Sequence, residues 1–549
     1  MQQHTWEDVV TVPNADPIKH VVLLMFENHS FDQMLGSFKD IYPGLDGVDP
    51  AQPGVNRDTA GNEYSQVPTT ERQMELDPHH EVDHVRAQLA DHNGGFVKDL
   101  ALSYTTQCTA AQFGYVMGYF PLDFLPALHR VARDFTIGDR WFSSVPGPTW
   151  VNRFFALTGT SNGRVNMPDD GTHQQDIPGY FEQDQDTIFD RLGERGVSWK
   201  VYFHSIPQTM VLSHQRRPEN AARYFPIGQF FADARGREAH FPSFCLIEPD
   251  YMAAAENDDH PPHDIMRAQK LIADVYNGLR ANADLFESTL LVIVYDEHGG
   301  FFDHVVPPLA IPPDEHREEY TFDQYGVRVP AVLVSPWVKR GYDSTLFDHT
   351  SVLKYLIEKW NLQPLGHRTA TANSIGRLIE RFASPREDTV QSITLSPDQL
   401  RPPNQKLESQ AQNYVSGHHQ SLALLVTYLK DETLCDLPAW VATMARNFES
   451  IMAFCSRTFG RTSSERDIAG EHAAATAIAH AFVRRRRQKA IPTAVRVLRD
   501  ANAPLQVRQH AAETLGHVVR MRFHEDSDPV AAAEEWIRRH WLWRRVHLN

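Results

Sequence analysis

Residues 21–28 read VVLLMFEN, a continuous run of six apolar side chains that ends in Glu27 and Asn28. A run without polar alternation is typical of a strand buried on both faces of a sheet. A second such run, residues 290–297 with the sequence LLVIVYDE, ends in Asp296 and Glu297. Ligands of open α/β sheets bind beyond the carboxyl ends of the strands. We therefore expect the four side chains to meet at one edge if the strands are parallel neighbours.

The rest of the first 383 residues alternates apolar runs with helical patterns. Further candidate strands lie at 201–203, 244–247 and 331–334, and candidate helices at 124–133, 187–193, 264–282 and 351–360. This alternation predicts an α/β domain over 1–383, with a mostly parallel sheet covered by helices on both faces.

A change of composition follows this domain. Residues 384–415 are polar and contain four prolines, which indicates a connector. Residues 416–549 favour an all-helical C-terminal region, with amphipathic patterns at 473–487, 491–499 and 505–520. The basic run Arg484–Arg487 is either a solvated helix face or a contact with an anionic membrane surface or with another subunit of an oligomer.

Composition narrows the functional classes. A formal net charge of -17 argues against nucleic acid as the partner of the whole chain. The four cysteines form no CxxC pair, so neither a zinc–thiolate site nor a disulfide framework is expected. Residues 1–8 show no secretion signal, which favours the cytoplasm, the alternative being export with a leader since removed.

The strand-end residues Glu27, Asn28, Asp296 and Glu297 carry oxygen ligands suited to a hard divalent cation. A single acid after a strand is often a helix cap. Two adjacent pairs after two strongly apolar strands favour a metal site instead.

Residues 145–155 read VPGPTWVNRFF, and Thr149 follows a bend at Gly147 and Pro148. We expect Thr149 to be the N-cap or first residue of a short helix ending near Gly159. Its hydroxyl would lie beside unpaired backbone N–H groups, which suits phosphate, and a metal would lower its pKa and make it a nucleophile. The alternative is a simple N-cap. Asn152, one turn on, has an amide able to bind a phosphoryl oxygen.

Histidines form a third set of candidates. His79 and His80 precede one helical stretch, His260 precedes another, and His204 ends a candidate strand. Histidine can protonate a leaving alkoxide or donate to phosphate oxygens near neutral pH. Each of them could equally be structural.

Taken together, residues 20–36, 145–153, 258–264, 296–304 and 348–353 resemble five ordered motifs of the family of bacterial phospholipases C and acid phosphatases, part of the alkaline phosphatase superfamily. The resemblance implies an alkaline-phosphatase-like α/β fold and one divalent ion: Ca, Mg, Mn, Zn or Fe. It also implies the ligands of that ion: Glu27, Asn28, Thr149, Asp296 and Glu297.

The resemblance further implies a role for each reacting group. Thr149 would be the nucleophile and would pass through a phospho-threonine intermediate, and His260 would protonate the leaving alcohol. His80 and His204 would bind phosphoryl oxygens, with His79 the alternative to His80.

Three functions remain open at this stage. One is a phospholipase C that removes a phosphocholine-type head group from lipid at a membrane surface, and another is an acid phosphatase acting on small monoesters. The third is a binding protein with an inactive core. A lipid enzyme needs an apolar rim, and six aromatic residues would either supply it or belong to the core: Phe120, Phe124, Trp141, Trp150, Phe154 and Phe155.

Overall fold

The structure is a computed structural model. It describes residues 16–402 except 75, 105–107, 169–176, 252–255, 317–319 and 381, together with 418–419, 421–422, 424–425, 498, 508, 512, 515, 528 and 530–535. The chain divides into two compact units, Met1–Leu422 and Ala423–Asn549.

The first unit is built on an eight-stranded sheet. The described strands are β1 (His20–Phe26), β2 (Val55–Arg57), β3 (Glu63–Ser65), β4 (Val67–Pro68), β5 (Gly118–Tyr119), β6 (Thr136–Gly138), β7 (Trp199–Phe203), β8 (Tyr224–Pro226), β9 (Phe244–Glu248), β10 (Thr289–Tyr295), β11 (Ala331–Val334) and β12 (Gly341–Asp343). The large sheet has the order β12-β6-β11-β10-β1-β9-β7-β8, and β2–β5 form two small sheets. Within it only β11 runs against the others. The predicted mostly parallel sheet is confirmed.

The two strands that carry the acidic residues are buried along their whole length. All seven residues of β1 and all seven of β10 are buried. Successive side chains of a strand point to opposite faces, so both faces of the sheet are covered here. The strands are parallel neighbours, with Phe26 opposite Tyr295.

Helices connect the strands. Those described are α1 (Phe31–Leu35), α2 (Val82–Asn93), α3 (Phe96–Ser103), α4 (Leu128–Asp134), α5 (Thr149–Thr158), α6 (Ile177–Phe181), α7 (Ile188–Glu194), α8 (Pro218–Ala221), α9 (Ile227–Ala234), α10 (Met266–Arg280), α11 (Ala283–Glu287), α12 (Thr350–Trp360) and α13 (Gly366–Thr371). Helix α4 begins four residues later than predicted. The predicted helices at 187–193, 264–282 and 351–360 correspond to α7, α10 and α12. No helix of the described residues is long and apolar enough to cross a membrane.

The aromatic residues proposed as a rim are largely core residues. Phe120, Trp141, Trp150, Phe154 and Phe155 are each at most 2% exposed. Only Phe124 of the six is partly exposed, and it stacks on Phe120. The alternative that they belong to the core therefore holds for five of the six side chains.

The second unit is described only in part. Residues 530–535 are helical. The predicted helices at 473–487, 491–499 and 505–520, the basic run at 484–487 and any oligomer contact through them lie almost entirely outside the described residues. Residues 403–415 of the predicted connector also lie outside the described residues.

Candidate active site

The strand ends bring the predicted acids together. Because Phe26 lies opposite Tyr295, Glu27 and Asp296 leave neighbouring strands at the same edge, and the Asp296 amide donates to the Phe26 carbonyl at 3.0 Å. Glu27, Asp296 and Glu297 are all 0% exposed. The site thus places three carboxylates in one buried volume at the carboxyl edge of the sheet.

Asn28 links the acids to the predicted nucleophile. Its backbone is left-handed, with φ of 63°. Its N–H lies 3.4 Å from Asp296 Oδ1, and its Oδ1 accepts from the Thr149 hydroxyl at 3.4 Å. Gly299 makes this turn possible, because a Cβ at that position would lie 2.2 Å from the Asn28 carbonyl oxygen.

Thr149 is the first residue of α5, and its side chain is fully buried. The helix ends at Gly159, whose φ of 76° is the left-handed conformation common after helices. Both ends match the prediction. The Thr149 hydroxyl therefore lies at the positive end of a helix and beside the acid cluster.

Asn152 has a different set of partners from the one predicted. Its Oδ1 accepts from the Val145 amide at 3.1 Å, and its Nδ2 donates to the carbonyl oxygens of Val145 and Gly147 at 3.2 and 2.8 Å. In this structure the amide holds the turn that precedes Thr149. A phosphoryl contact would require some of these hydrogen bonds to break.

Of the two adjacent histidines, His80 faces the acids. His80 Nε2 lies 3.3 Å from Asn28 Nδ2 and 3.9 Å from Glu297 Oε1. His79 instead stacks on His84, with ring centroids 4.4 Å apart. Burial acts to lower the pKa of His80, but the neighbouring carboxylates, Glu297 foremost, outweigh it and raise the pKa to about 10.

His260 lies in the same volume as His80, with ring centroids 5.9 Å apart. It is 2% exposed, and its Nε2 has no hydrogen-bond partner among the described residues. His204 ends β7 as predicted, and its Nδ1 hydrogen-bonds the carbonyl oxygen of Glu248 at 3.1 Å.

Two basic or polar groups at the site were not predicted from the sequence. Arg153 bridges two acids, with Nε 2.8 Å from Asp296 Oδ2 and Nη2 3.1 Å from Glu27 Oε1. His418 Nδ1 lies 3.0 Å from Glu27 Oε2, and its ring centroid is 6.2 Å from that of His260. The spacing of Arg153 one turn after Thr149 is a usable signal, whereas no local pattern marks His418.

The charges of the acid cluster are only partly compensated. Burial raises the pKa of Asp296 well above its ordinary value, and the negative charges of Glu27 and Glu297 add to this effect against the opposing charge of Arg153. Burial also favours a raised pKa for Glu27, but His418 and Arg153 hold that pKa below its ordinary value. Glu297 Oε1 is buried without a hydrogen-bond partner among the described residues. A divalent cation bound here would relieve the repulsion and satisfy that oxygen, so the donor set fits one.

Three groups of described side chains have ligand atoms within 4.8 Å of one another, and the strand-end acids are not among them: His79, Glu81 and His84; Asp32, Asp303 and His304; and Asp186, Asp190 and His214. In the second group Arg328 already pairs with Asp32 at 3.0 Å and with Asp303 at 2.9 Å. That group therefore supports the loop after β10 through internal ion pairs.

Comparison with known proteins identifies a family and several relatives. The Phosphoesterase family matches residues 18–363. Non-specific phospholipase C6 of Arabidopsis thaliana is 33% identical, over 70% of this chain and 75% of the relative. Phospholipase C A of Mycobacterium tuberculosis is 29% identical, over 68% of this chain and 79% of the relative. Among solved structures, an alkaline phosphatase superfamily protein of Vibrio parahaemolyticus is 11% identical, covers 47% of this chain and 65% of its own, and has a TM-score of 0.29.

The molecule is a phosphoric ester hydrolase, and it is similar to phospholipases C. The chain belongs to the Phosphoesterase family, whose match covers more than half of its length.

Proposed function

We propose that this chain is a metal-dependent phospholipase C that hydrolyses the head-group phosphodiester of a phospholipid through a phospho-threonine intermediate. The observation that carries the proposal is the contact of the Thr149 hydroxyl with Asn28, at 3.4 Å, inside the buried acid cluster. The names of the relatives support a phospholipid as the substrate.

The residues that would hold the ion are Glu27, Asn28, Thr149, Asp296 and Glu297. When bound, a divalent cation lowers the pKa of the Thr149 hydroxyl and offsets negative charge on the phosphoryl group. The oxygen-rich ligand set favours a hard cation, and the proposal does not depend on which one.

Thr149 Oγ1 forms a bond to phosphorus while the bond from phosphorus to the lipid alcohol breaks. His260, whose Nε2 is buried and without a hydrogen-bond partner among the described residues, protonates the departing alkoxide. The Thr149 proton leaves to solvent, so charge balances. A water molecule then forms a bond to phosphorus while the bond from phosphorus to Thr149 Oγ1 breaks. One water proton goes to His260, Thr149 Oγ1 regains a proton from solvent, and the phosphorylated head group leaves.

The charged His80 is positioned to contact a phosphoryl oxygen, because its Nε2 faces Asn28 and Glu297. A positive charge that is already held in place in a buried site stabilises a transition state more than the same charge would in water. We propose the same role for His204, which directly follows β7.

Thr149→Ala tests the nucleophile. We expect turnover of a phosphatidylcholine analogue to fall at least about a thousandfold, since the covalent step is lost, while the unfolding midpoint changes little. Thr149→Ser, which keeps a hydroxyl at the same position, is the matched control and should retain measurable turnover. A phosphorylated threonine trapped by acid quench and found by mass spectrometry would support the intermediate. Near-normal rates in Thr149→Ala would overturn the assignment.

The monoesterase alternative uses the same core residues and needs a separate assay. Rates on phosphorylcholine diesters and on a chromogenic phosphate monoester should be compared for the same preparation. If kcat/KM is higher for the monoester, the substrate class is a small phosphate monoester, as for an acid phosphatase, and not a phospholipid. Absence of turnover on both would leave the binding-protein interpretation.

A further inference from the structure

An apolar surface loop follows the last motif of the site. Residues 305–313 read VVPPLAIPP, nine consecutive residues without a polar side chain. Leu309 is 82% exposed, Ile311 50% and Val306 45%. Single exposed apolar side chains are ordinary, but a contiguous exposed group marks an interaction surface.

The loop is held firmly by its backbone. Leu309 forms a bridge with Gln324, and the Ala310 amide donates to the Asp323 carbonyl at 2.7 Å. The His367 amide donates to the Pro313 carbonyl at 2.8 Å. Because both sides of the loop are tied down, the exposed side chains are fixed in their outward positions.

The loop adjoins the elements that carry the site. At its start, Asn93 at the end of α2 donates to the Val305 carbonyl at 3.0 Å, and α2 begins just after His80. Beyond the loop, Tyr320 and Phe322 belong to one buried cluster that also contains Val145 and Val151, the neighbours of Thr149 in sequence. The loop therefore contacts α2 at its start, and Tyr320 and Phe322, which follow the loop, pack with residues close to Thr149 in sequence.

The charges near the loop indicate which kind of surface the loop can bind. The loop itself is uncharged, while Asp314, Glu315 and Asp323 follow it and the chain carries a net charge of -17. An anionic membrane would repel such a protein, since surface potentials attract basic segments. A zwitterionic phospholipid surface combines an apolar layer with no net charge.

We infer that residues 305–313 are a docking loop that inserts Leu309, with Ile311 and Val306, into a zwitterionic phospholipid surface. The inference rests on the proposed function, since it names the surface that presents the lipid substrate.

The experiment measures binding to a lipid surface and hydrolysis of the lipid separately. Leu309→Asp and Ile311→Asp are compared with wild type for binding to phosphatidylcholine vesicles by flotation, and for hydrolysis of two substrates. One substrate is phosphatidylcholine in the same vesicles, and the other is a short-chain phosphatidylcholine kept monomeric below its critical micelle concentration. Leu400→Asp, at an apolar residue that is 40% exposed elsewhere in the chain, is the matched control.

We expect each loop variant to lose about tenfold or more in vesicle binding and in vesicle hydrolysis, since an exposed apolar side chain that would enter the lipid is replaced by a charge. Hydrolysis of the monomeric substrate should change less than about twofold, and Leu400→Asp should resemble wild type in every assay. Equal vesicle binding by Leu309→Asp and wild type, or wild-type binding that increases when anionic lipid is added, would overturn the docking loop. No hydrolysis of either substrate by wild type, with vesicle binding still lost in the variants, would overturn the proposed function and leave the docking loop standing.

Discussion

Arg153 is the residue on which the charge of the acid cluster depends. Its guanidinium contacts Asp296 and Glu27 and also donates to the Tyr251 hydroxyl at 2.9 Å. Arg153 and the charged His80 carry two positive charges against three buried carboxylates, and like charges at close range disfavour ionisation. Part of the negative charge of the cluster is therefore not compensated, and a bound divalent cation would compensate it.

His418 contacts Oε2 of Glu27, whereas Arg153 contacts Oε1. We expect His418→Ala to lower metal affinity or kcat by about ten- to a hundredfold, because partners that orient a ligand contribute effects of that size. Metal titration and steady-state kinetics on the full chain would measure both quantities. His367→Ala removes an exposed histidine of the same unit and is the control. If His418→Ala kept both metal affinity and kcat, the 3.0 Å contact with Glu27 would have no functional consequence.

At the scale of elements, the turn before α5 depends on one amide. Asn152 bonds both the amide and the carbonyl oxygen of Val145, which is 1% exposed. We expect Asn152→Ala to lower the free energy of unfolding by about 2 to 3 kcal/mol, because buried backbone groups lose their partners. Turnover should fall as well, since Thr149 is positioned by this turn.

The same variant separates the two roles considered for Asn152. If the amide acts through the turn, urea denaturation will show the loss of stability, and inhibition by inorganic phosphate will stay similar. If it binds a phosphoryl oxygen instead, phosphate inhibition will weaken while stability is kept. Asn373→Ala removes a single exposed hydrogen bond to the Leu346 carbonyl and is the control.

A second element-scale feature ties the segment after β1 to the loop after β10. His304 Nδ1 lies 2.8 Å from Asp32 Oδ2, and its Nε2 lies 3.1 Å from Asp46 Oδ1. Burial acts to lower the pKa of His304, but hydrogen bonds to the two carboxylates outweigh it and raise the pKa from 6.5 to about 10. The hydrogen bond from His304 in turn lowers the pKa of Asp46 to about 2.

The sign of these shifts predicts how stability depends on pH. The pKa of His304 is higher in the folded protein than in the unfolded chain. Its ion pairs therefore stabilise the folded state fully below about pH 6.5, and this contribution is lost as pH rises through about 10. His304→Gln should therefore cost about 1 to 2 kcal/mol at pH 6 and progressively less towards pH 10, measured by urea denaturation across that range. His316→Gln, at an exposed histidine, is the comparison. A cost for His304→Gln that is the same at pH 6 and pH 10 would contradict the ion pair.

At the scale of the whole molecule, the sequence predicts those structural features that depend on residues close to one another along the chain. The strand ends at Glu27 and Asp296 were predictable because each follows a continuous apolar run. The direction of β11 was not, because an apolar run is the same in either direction, and β6 and β12 are three-residue strands without such a run. The contact of His418 with Glu27 joins residues from opposite ends of the first unit, and no periodicity carries that information.

Binding of the ion should appear in the stability of the whole protein. A ligand that binds only the folded state stabilises it by about 2.7 kcal/mol at a hundredfold excess over Kd. After chelation, the midpoint of thermal unfolding should therefore rise with the concentration of the native ion, tested in turn with Ca²⁺, Mg²⁺, Mn²⁺, Zn²⁺ and Fe²⁺. Asp296→Ala should abolish the rise and lose the metal by elemental analysis, because it removes a buried ligand oxygen. His84→Asn alters the separate group formed with His79 and Glu81 and should leave the rise intact. The reverse result, a rise kept in Asp296→Ala and lost in His84→Asn, would move the ion to that half-buried group and away from Thr149.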